Sequence, residues 1–312
     1  MDVLKVVNPR CEYKENPIGI DVMMHRFSWQ IQAIGRNILQ TGYRIQVSEE
    51  DGLFRNIIWD SGKVESDQSI HVEYGGPDLK SRTRYYYRIK IWDNKGNQSD
   101  WSENAFWEMG ILNQDEWIAE WITPKLITED TELQACPMFR RDFEIRKSIK
   151  KARIYATSLG LYYLELNGHR VGDWLLTPGW TSYNNRLQYQ TYDVTSLIKE
   201  GKNPIGAVVG VGWYKGNLAW ENNRNIFGDK LALLMQMHIS YEDGSEDVII
   251  SDGKWKTSTG PILMSEIYHG EKYDARLEKP GWSSADYDDG DWSQVAILYH
   301  PKDILVAQEN EP

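Results

Sequence analysis

A chain of 312 residues, 41% hydrophobic and 26% charged, has room for about two ordinary domains and the composition of a globular protein, not a disordered or fibrous one. Its formal net charge is −11, and its basic residues cluster no further than the pairs Arg140-Arg141 and Lys150-Lys151. A nucleic-acid partner, which needs a concentrated positive face, is therefore not expected. The longest apolar runs, such as LALLM at 231–235, are too short to span a bilayer, so no membrane partner is expected either.

Reading from the N-terminus, MDVLKVVNPRCEYKENPIGID lacks an apolar segment of the signal-peptide kind, and the expectation is a cytoplasmic protein. Cys11 and Cys136 stand far apart with no CxxC spacing, which suits free thiols in a reducing compartment. Period-two alternation then dominates. It runs through Tyr43, Ile45 and Val47, through Tyr85, Tyr87, Ile89 and Ile91, and through Leu231, Leu233, Met235, Met237 and Ile239. Asn167-Gly168, Asp243-Gly244 and Asp252-Gly253 read as two-residue turns at positive φ. The best helical candidate is the short SLIKEG at 196–201, so the fold class is all-β.

A boundary is expected within residues 108–124, where FWEMGIL ends and NQDEWIAEWITPK begins. Residues 1–112 have the size and strand spacing of a fibronectin/immunoglobulin-like sandwich. Residues 113–305 form a larger second domain, and 306–312 read as the start of a linker. Within the second domain QYQTYDVTSLIKEGKN reads as a strand running into a corner, with Asp193 or Thr195 capping the turn and Gly201 as its left-handed exit.

Tryptophan and tyrosine are over-used, at 14 and 18 against six phenylalanines, and they recur in two loops that suit a sugar. Trp180, Tyr183, Asn184, Asn185 and Arg186 combine an aromatic face with amide and guanidinium groups; Trp213, Tyr214, Asn217 and Trp220 do so between Gly212 and Gly216. Sugars offer hydroxyls that want paired donors and acceptors and a C–H face that lies on an aromatic ring. Packing of these aromatics at the end of a sandwich is the competing reading. In GEKYDAR, Glu271 and Asp274 are the carboxylates a glycosidase could use, but Arg276 beside them would keep an acid ionised. A salt-bridged loop that docks a neighbouring domain is the expectation there. The six histidines show no metal spacing, and no phosphate loop, GxSxG elbow or dinucleotide fingerprint is present.

LYYLELNGHRVGDWLLTPGWTSYNNRLQYQTYDVT, VGVGWYKGNLAW and EIYHGEKYDARLEKPGW resemble the N-terminal module of bacterial α-L-rhamnosidases. NPIGID, RFSWQI, WDSGKV and YYYRIKIWDNKGNQSDWS resemble the fibronectin-like domain that often precedes it, so the resemblance covers the whole chain in order. It implies a jelly-roll (galactose-binding-like) sandwich for the second domain. It also implies that hydrolysis of terminal α-L-rhamnosides belongs to two carboxylates on a downstream (α/α) barrel, one protonating the leaving oxygen and one activating water. On that expectation the chain alone is inactive, has no catalytic residue of its own, and has the downstream domain as its partner. Some modules of this type bind rhamnose with calcium, which makes Asn222, Asn223 and Asp229 calcium candidates, although no DxDxDG-type loop is present. A pair of purely structural sandwiches without ligand is the alternative.

Overall fold

The structure is a computed structural model that describes residues 4–49, 52–125, 134–221 and 223–309. These separate into two compact units, the first ending at Asn113 and the second beginning at Gln114. Their regular structure is almost wholly strand, as the alternation predicts. Among the described residues no helix is long and apolar enough to cross a membrane.

In the first unit, a five-stranded sheet runs in the order Ile18–Ile20, Ala105–Met109, Arg84–Asp93, Gln40–Ser48, Ile57–Asp60. It faces a three-stranded sheet of Lys5–Cys11, Arg26–Gln32 and Val72–Glu73. The alternating residues Tyr43, Ile45, Val47, Tyr85, Tyr87, Ile89 and Ile91 all point into the shared core. Trp107 sits among aromatic rings there, with Tyr85 stacked at 5.2 Å and Phe27 edge-on at 5.6 Å. Cys11 is buried in this core as a free thiol, and Cys136 is a buried free thiol of the second unit.

His25 is fully buried in the same cluster, stacked on Tyr74 at 5.0 Å and tilted against Trp107 at 4.3 Å. Neither ring nitrogen makes a well-formed hydrogen bond, although the Val22 and Met23 backbones lie close enough to favour a proton slightly. Burial outweighs the pull of the Glu12 carboxylate and of these backbones and holds the imidazole down at about 4, from an ordinary 6.5.

The second unit is a sandwich made from one continuous ribbon of strands. One leaf carries His169–Arg170, Leu161–Leu166, Gly201–Gly210, Pro137–Ile145 and Lys256–Thr259 in spatial order. The other carries Trp121–Pro124, Ala232–Tyr241, Ile149–Leu159, Leu187–Asp193 and Leu305–Ala307, with Glu246–Ile250 beside Ala232–Tyr241. Ser293–Leu298 joins them at a corner: Ser293 pairs into the first leaf, and Val295 to Leu298 pair with Trp121–Pro124 in the second. Between the leaves, Phe139, Leu164, Ile205 and Val209 meet Ile154, Leu233, Met235 and Met237.

Three local expectations change. SLIKEG is a turn rather than a helix, because Asn203 accepts from Lys199 N and donates to the Lys199 and Gly201 carbonyls, closing the corner. The predicted Asp193 cap is present, with Oδ1 accepting from Thr195 N at 3.1 Å and Thr195 Oγ1 at 2.7 Å. Of the three turn pairs, only Asn167-Gly168 has both residues at positive φ; Asp243-Gly244 has only its glycine there. Asp252-Gly253 has neither, its bend being held by Asp252 Oδ1 accepting from Lys254 N. The linker expected from 306 begins later: Leu305–Ala307 is a strand pairing in parallel with Leu187 to Tyr189, and Gln190 Nε2 donates to Gln308 Oε1. A parallel pairing has no hairpin turn to announce it.

The first leaf is covered on both faces. Register places Tyr163, Val208 and Met138 in one row on its outer side, and Glu165, Gly206 and Arg140 in the next. Trp282 lies over Gly206, where even a methyl group would overlap the indole ring. The fully buried Arg140 guanidinium donates to the Trp282 carbonyl at 2.8 Å and the Ser284 carbonyl at 3.2 Å. It also pairs with Asp289, and with Asp142 at 2.8 Å. Burial pushes the Asp289 carboxyl up, but the Lys256 ammonium at 2.6 Å and Arg140 outweigh this and hold it below the usual carboxylate range.

Two stability outcomes follow. The unfolded chain takes a proton on His25 that the folded unit refuses, so stability from this source is complete above about pH 6.5. It falls by roughly 3 kcal/mol as pH drops to about 4. His25→Leu is expected to remove that part of the acid slope, read as urea midpoints of the two proteins across this range; parallel slopes would refute it. Arg140→Met should destabilise the second unit by about 3–5 kcal/mol, because two carboxylates and two carbonyls lose a buried donor. Thermal unfolding measures this, and a loss below about 1 kcal/mol would show that the network is not what holds the 281–289 loop.

Candidate functional site

The two loops with sugar-like composition do meet at one end of the second unit, but much of their chemistry is internal. Tyr183 is buried, donates to the Gly179 carbonyl at 2.7 Å and packs edge-on to Tyr214 and Phe227. Burial raises the phenols of both tyrosines, Tyr214 to about 12. Both rings are turned inward and packed within the loops. Asn217 is also buried, with its main-chain N–H donating to Glu266 Oε1 at 2.7 Å and its amide 3.3 Å from His269 Nδ1. The close approach expected at Gly216 is real but internal: a Cβ there would strike the Glu266 carboxylate and the Gly212 carbonyl.

What remains open is a set of aromatic and amide side chains. Trp180, 57% exposed, and Trp213, half-buried, lie near-parallel with ring centroids 5.9 Å apart. Trp220 is 87% exposed. Asn184 and Asn185 are exposed beside them in sequence, Asn185 donating to Ser182 Oγ, and Arg186 pairs with Glu309 at 2.7 Å. Of the calcium candidates, Asn222 lies outside the described residues. Asn223 turns its amide nitrogen to the Trp220 carbonyl, and the Asp229 main-chain oxygen accepts from the buried Lys215 ammonium at 2.8 Å. A fixed ammonium at that oxygen opposes a second cation there. Among the described residues no three His, Cys, Asp or Glu side chains converge as a metal site would need.

Glu271 is exposed on the Gly270–Tyr273 strand, which pairs with Ile262–Glu266. Asp274 caps the turn Ala275–Leu277 and grips Arg276 through both oxygens, at 2.8 and 2.5 Å. The Arg276 guanidinium holds the Asp274 carboxyl below its ordinary range, the wrong direction for a general acid.

A concave site lies elsewhere, on the outer face of the first leaf. A cavity of about 360 Å³ is floored by Cys136, Met138 and Val208 and walled by Tyr163, Glu165 and Trp282. Residues 278–284, Ile262 and Tyr273 complete its lining. Glu165 Oε2 accepts from Ser283 Oγ at 2.5 Å, and Tyr273 donates to Glu278 Oε1 at 2.8 Å. Sequence reading missed these residues because they come from five strands and a distant loop. The one available signal was Gly206 and Gly210 alternating with Val208 on a strand whose other face is core.

Comparison with known proteins agrees with this architecture. Residues 147–312 match the family described as the alpha-L-rhamnosidase N-terminal domain, and residues 6–113 match the Rha78A-like N-terminal immunoglobulin domain. An alpha-L-rhamnosidase of Formosa agariphila is 37% identical over 290 residues, covering 90% of this chain and 31% of the relative. The Streptomyces avermitilis alpha-L-rhamnosidase, solved in complex with L-rhamnose, superposes with a TM-score of 0.91 at 26% identity, over 98% of this chain and 46% of that one. The Aspergillus terreus enzyme superposes at 0.91 with 36% identity, over 98% of this chain and 35% of its own. The chain thus spans about a third to a half of the length of the relatives it matches. It belongs to the alpha-L-rhamnosidase N-terminal domain family.

Proposed function

We propose that this chain is the non-catalytic N-terminal portion of an α-L-rhamnosidase, and that the whole protein hydrolyses terminal α-L-rhamnosides with carboxylates outside these residues. The observation that carries the reading is the fit to several α-L-rhamnosidases over nearly all of this chain but about a third to a half of theirs. The Asp274–Arg276 pair supports it, since the nearest approach to a catalytic acid in GEKYDAR is kept ionised. The downstream catalytic domain is its partner, and cytoplasmic placement remains part of this reading.

The second unit, on this reading, also touches carbohydrate through Trp180, Trp213 and Trp220. The exposed indoles of Trp180 and Trp220 suit the C–H faces of sugars, with half-buried Trp213 near-parallel to Trp180, and Asn184 and Asn185 supply amides close by in sequence. Leu175 and Leu176, 75% and 55% exposed, adjoin Trp180 in sequence and favour a second reading in which this end docks another polypeptide.

The pure 312-residue chain is expected to release no chromophore from an aryl α-L-rhamnoside, and measurable turnover would overturn the non-catalytic reading. In affinity electrophoresis through a rhamnose-rich glycan, Trp180→Ala should weaken retardation roughly three- to tenfold, the worth of one aromatic contact. Absence of retardation for the unaltered chain would favour docking.

A further inference from the structure

We infer that the outer face of the five-stranded sheet in the first unit binds a polyuronate, a sugar polymer carrying carboxylates, through Arg88 and Lys90. The choice of a sugar polymer rests on the glycoside reading above; the charge and its place rest on the sheet alone.

Tyr85, Tyr87, Ile89 and Ile91 point into the core, so alternation turns Arg84, Arg88 and Lys90 outward, with Arg44 and Gln46 beside them on Gln40–Ser48. Register sets Lys90 directly opposite Arg44, and Arg88 opposite Gln46. Like charges facing one another across strands oppose the pairing. Burial, and after it the Arg44 charge, hold the Arg88 guanidinium below its ordinary value.

Counter-ions are short on this face. Arg44 takes Asp60 through both oxygens, at 2.8 and 2.5 Å, and Arg84 takes Glu108 at 3.1 Å. Among the described residues neither Arg88 nor Lys90 pairs with a carboxylate. Arg88 gives two N–H groups to one neutral acceptor, Gln46 Oε1, at 3.0 and 2.7 Å. Rings supply the other contacts: Arg88 lies over Phe54 at 4.3 Å and Trp101 at 4.5 Å, and Lys90 over Trp101 at 5.0 Å. A ring attracts a cation but leaves its charge whole. The face thus keeps positive charge in surplus on a chain whose net charge is −11.

Arg88 and Lys90, two positions apart on one strand, are separated by about 7 Å. Such a pair is too small for a phosphodiester backbone, whose binding draws on many neutralised phosphates. It suits a polymer whose carboxylates are set apart by uncharged rings. The two-oxygen grip of Arg44 on Asp60 shows on this same face how a guanidinium takes a carboxylate. The cations are also held in advance. Ser99 N and Ser102 N, on either side of Trp101, donate to the Ile91 and Ile89 carbonyls and fix the indole over them.

The test is a titration of the full chain at low ionic strength with a galacturonate hexamer, a galactose hexamer and a glutamate hexamer, read at the Trp101 indole N–H. The galacturonate hexamer is expected to shift that signal saturably, with affinity falling as salt is added, and the galactose hexamer to leave it still. The glutamate hexamer should bind at least about threefold more weakly than the uronate. Lys90→Gln should weaken the uronate about three- to tenfold at an unchanged or higher melting temperature, because it removes one of two opposed charges. Arg88→Lys, which keeps the charge and loses the fork, should weaken it less. A glutamate hexamer binding as well as the uronate would overturn the sugar polymer and assign the face to an acidic peptide. No response to the uronate, an equal response to the galactose hexamer, or a response unmoved by salt and by Lys90→Gln would overturn the inference altogether. None of these results touches the non-catalytic reading, which stands or falls on turnover of the aryl α-L-rhamnoside.

Discussion

Covering the first leaf on both faces is the constraint from which the rest of the second unit follows. Its strands bury Phe139, Leu164, Ile205 and Val209 between the leaves, so alternation sends Met138, Arg140, Tyr163, Glu165 and Val208 outward. That outer row is half apolar and cannot simply face water. Gly206 resolves the matter by offering a bare stretch of backbone on which Trp282 can lie. Even half-burying an indole contributes on the order of 2 kcal/mol, which draws the 281–289 loop onto the sheet. Arg140 then emerges beneath the loop, where a lone buried guanidinium would cost several kcal/mol. The Trp282 and Ser284 carbonyls with Asp289 and Asp142 convert that liability into an anchor. The cavity is the space that remains where the loop cannot follow the sheet.

The same logic separates two kinds of surface on one sandwich. At the loop end, exposed indoles stand on segments held mainly by turns such as Asn185 N to Ser182 O, and by the packing of Tyr183 on Tyr214 and Phe227. Such a platform tolerates many ligands, because stacking asks for a flat face and little else. The cavity instead draws its floor and one carboxylate from neighbouring strands, whose spacing is fixed by ladder hydrogen bonds.

How far the residues announce this differs sharply between scaffold and site. Period-two runs were legible because a one-residue slip would turn every core side chain outward, and Leu231, Leu233, Met235, Met237 and Ile239 all enter the core as read. The Asp193 corner was legible because its hydrogen bonds are local. The site was not. Composition pointed to Tyr183, Tyr214 and Asn217, yet a Tyr that fills a loop and a Tyr that meets a sugar have the same letter and the same neighbours. Only burial separates them. Conversely, Glu165 reads as an ordinary exposed strand residue until Ser283, 118 positions away, is seen donating to it. Non-local pairing also hid the Leu305–Ala307 strand, whose partner lies on the far side of several connections.

A single shallow sugar site on its own has millimolar affinity at best, about −4 kcal/mol. Such a site gains its effect by tethering, since a linked second contact sees an effective concentration that free ligand rarely reaches. For that, what matters is less the depth of the pocket than its rigidity, because every degree of freedom frozen on binding is subtracted from a small total. The Arg140 network, which holds the 281–289 loop to the sheet, gives the outer face of the first leaf rigidity of this kind. The net charge of −11 fits the same view at the exposed indoles, where a neutral sugar needs no electrostatic steering and an acidic surface costs nothing in encounter rate.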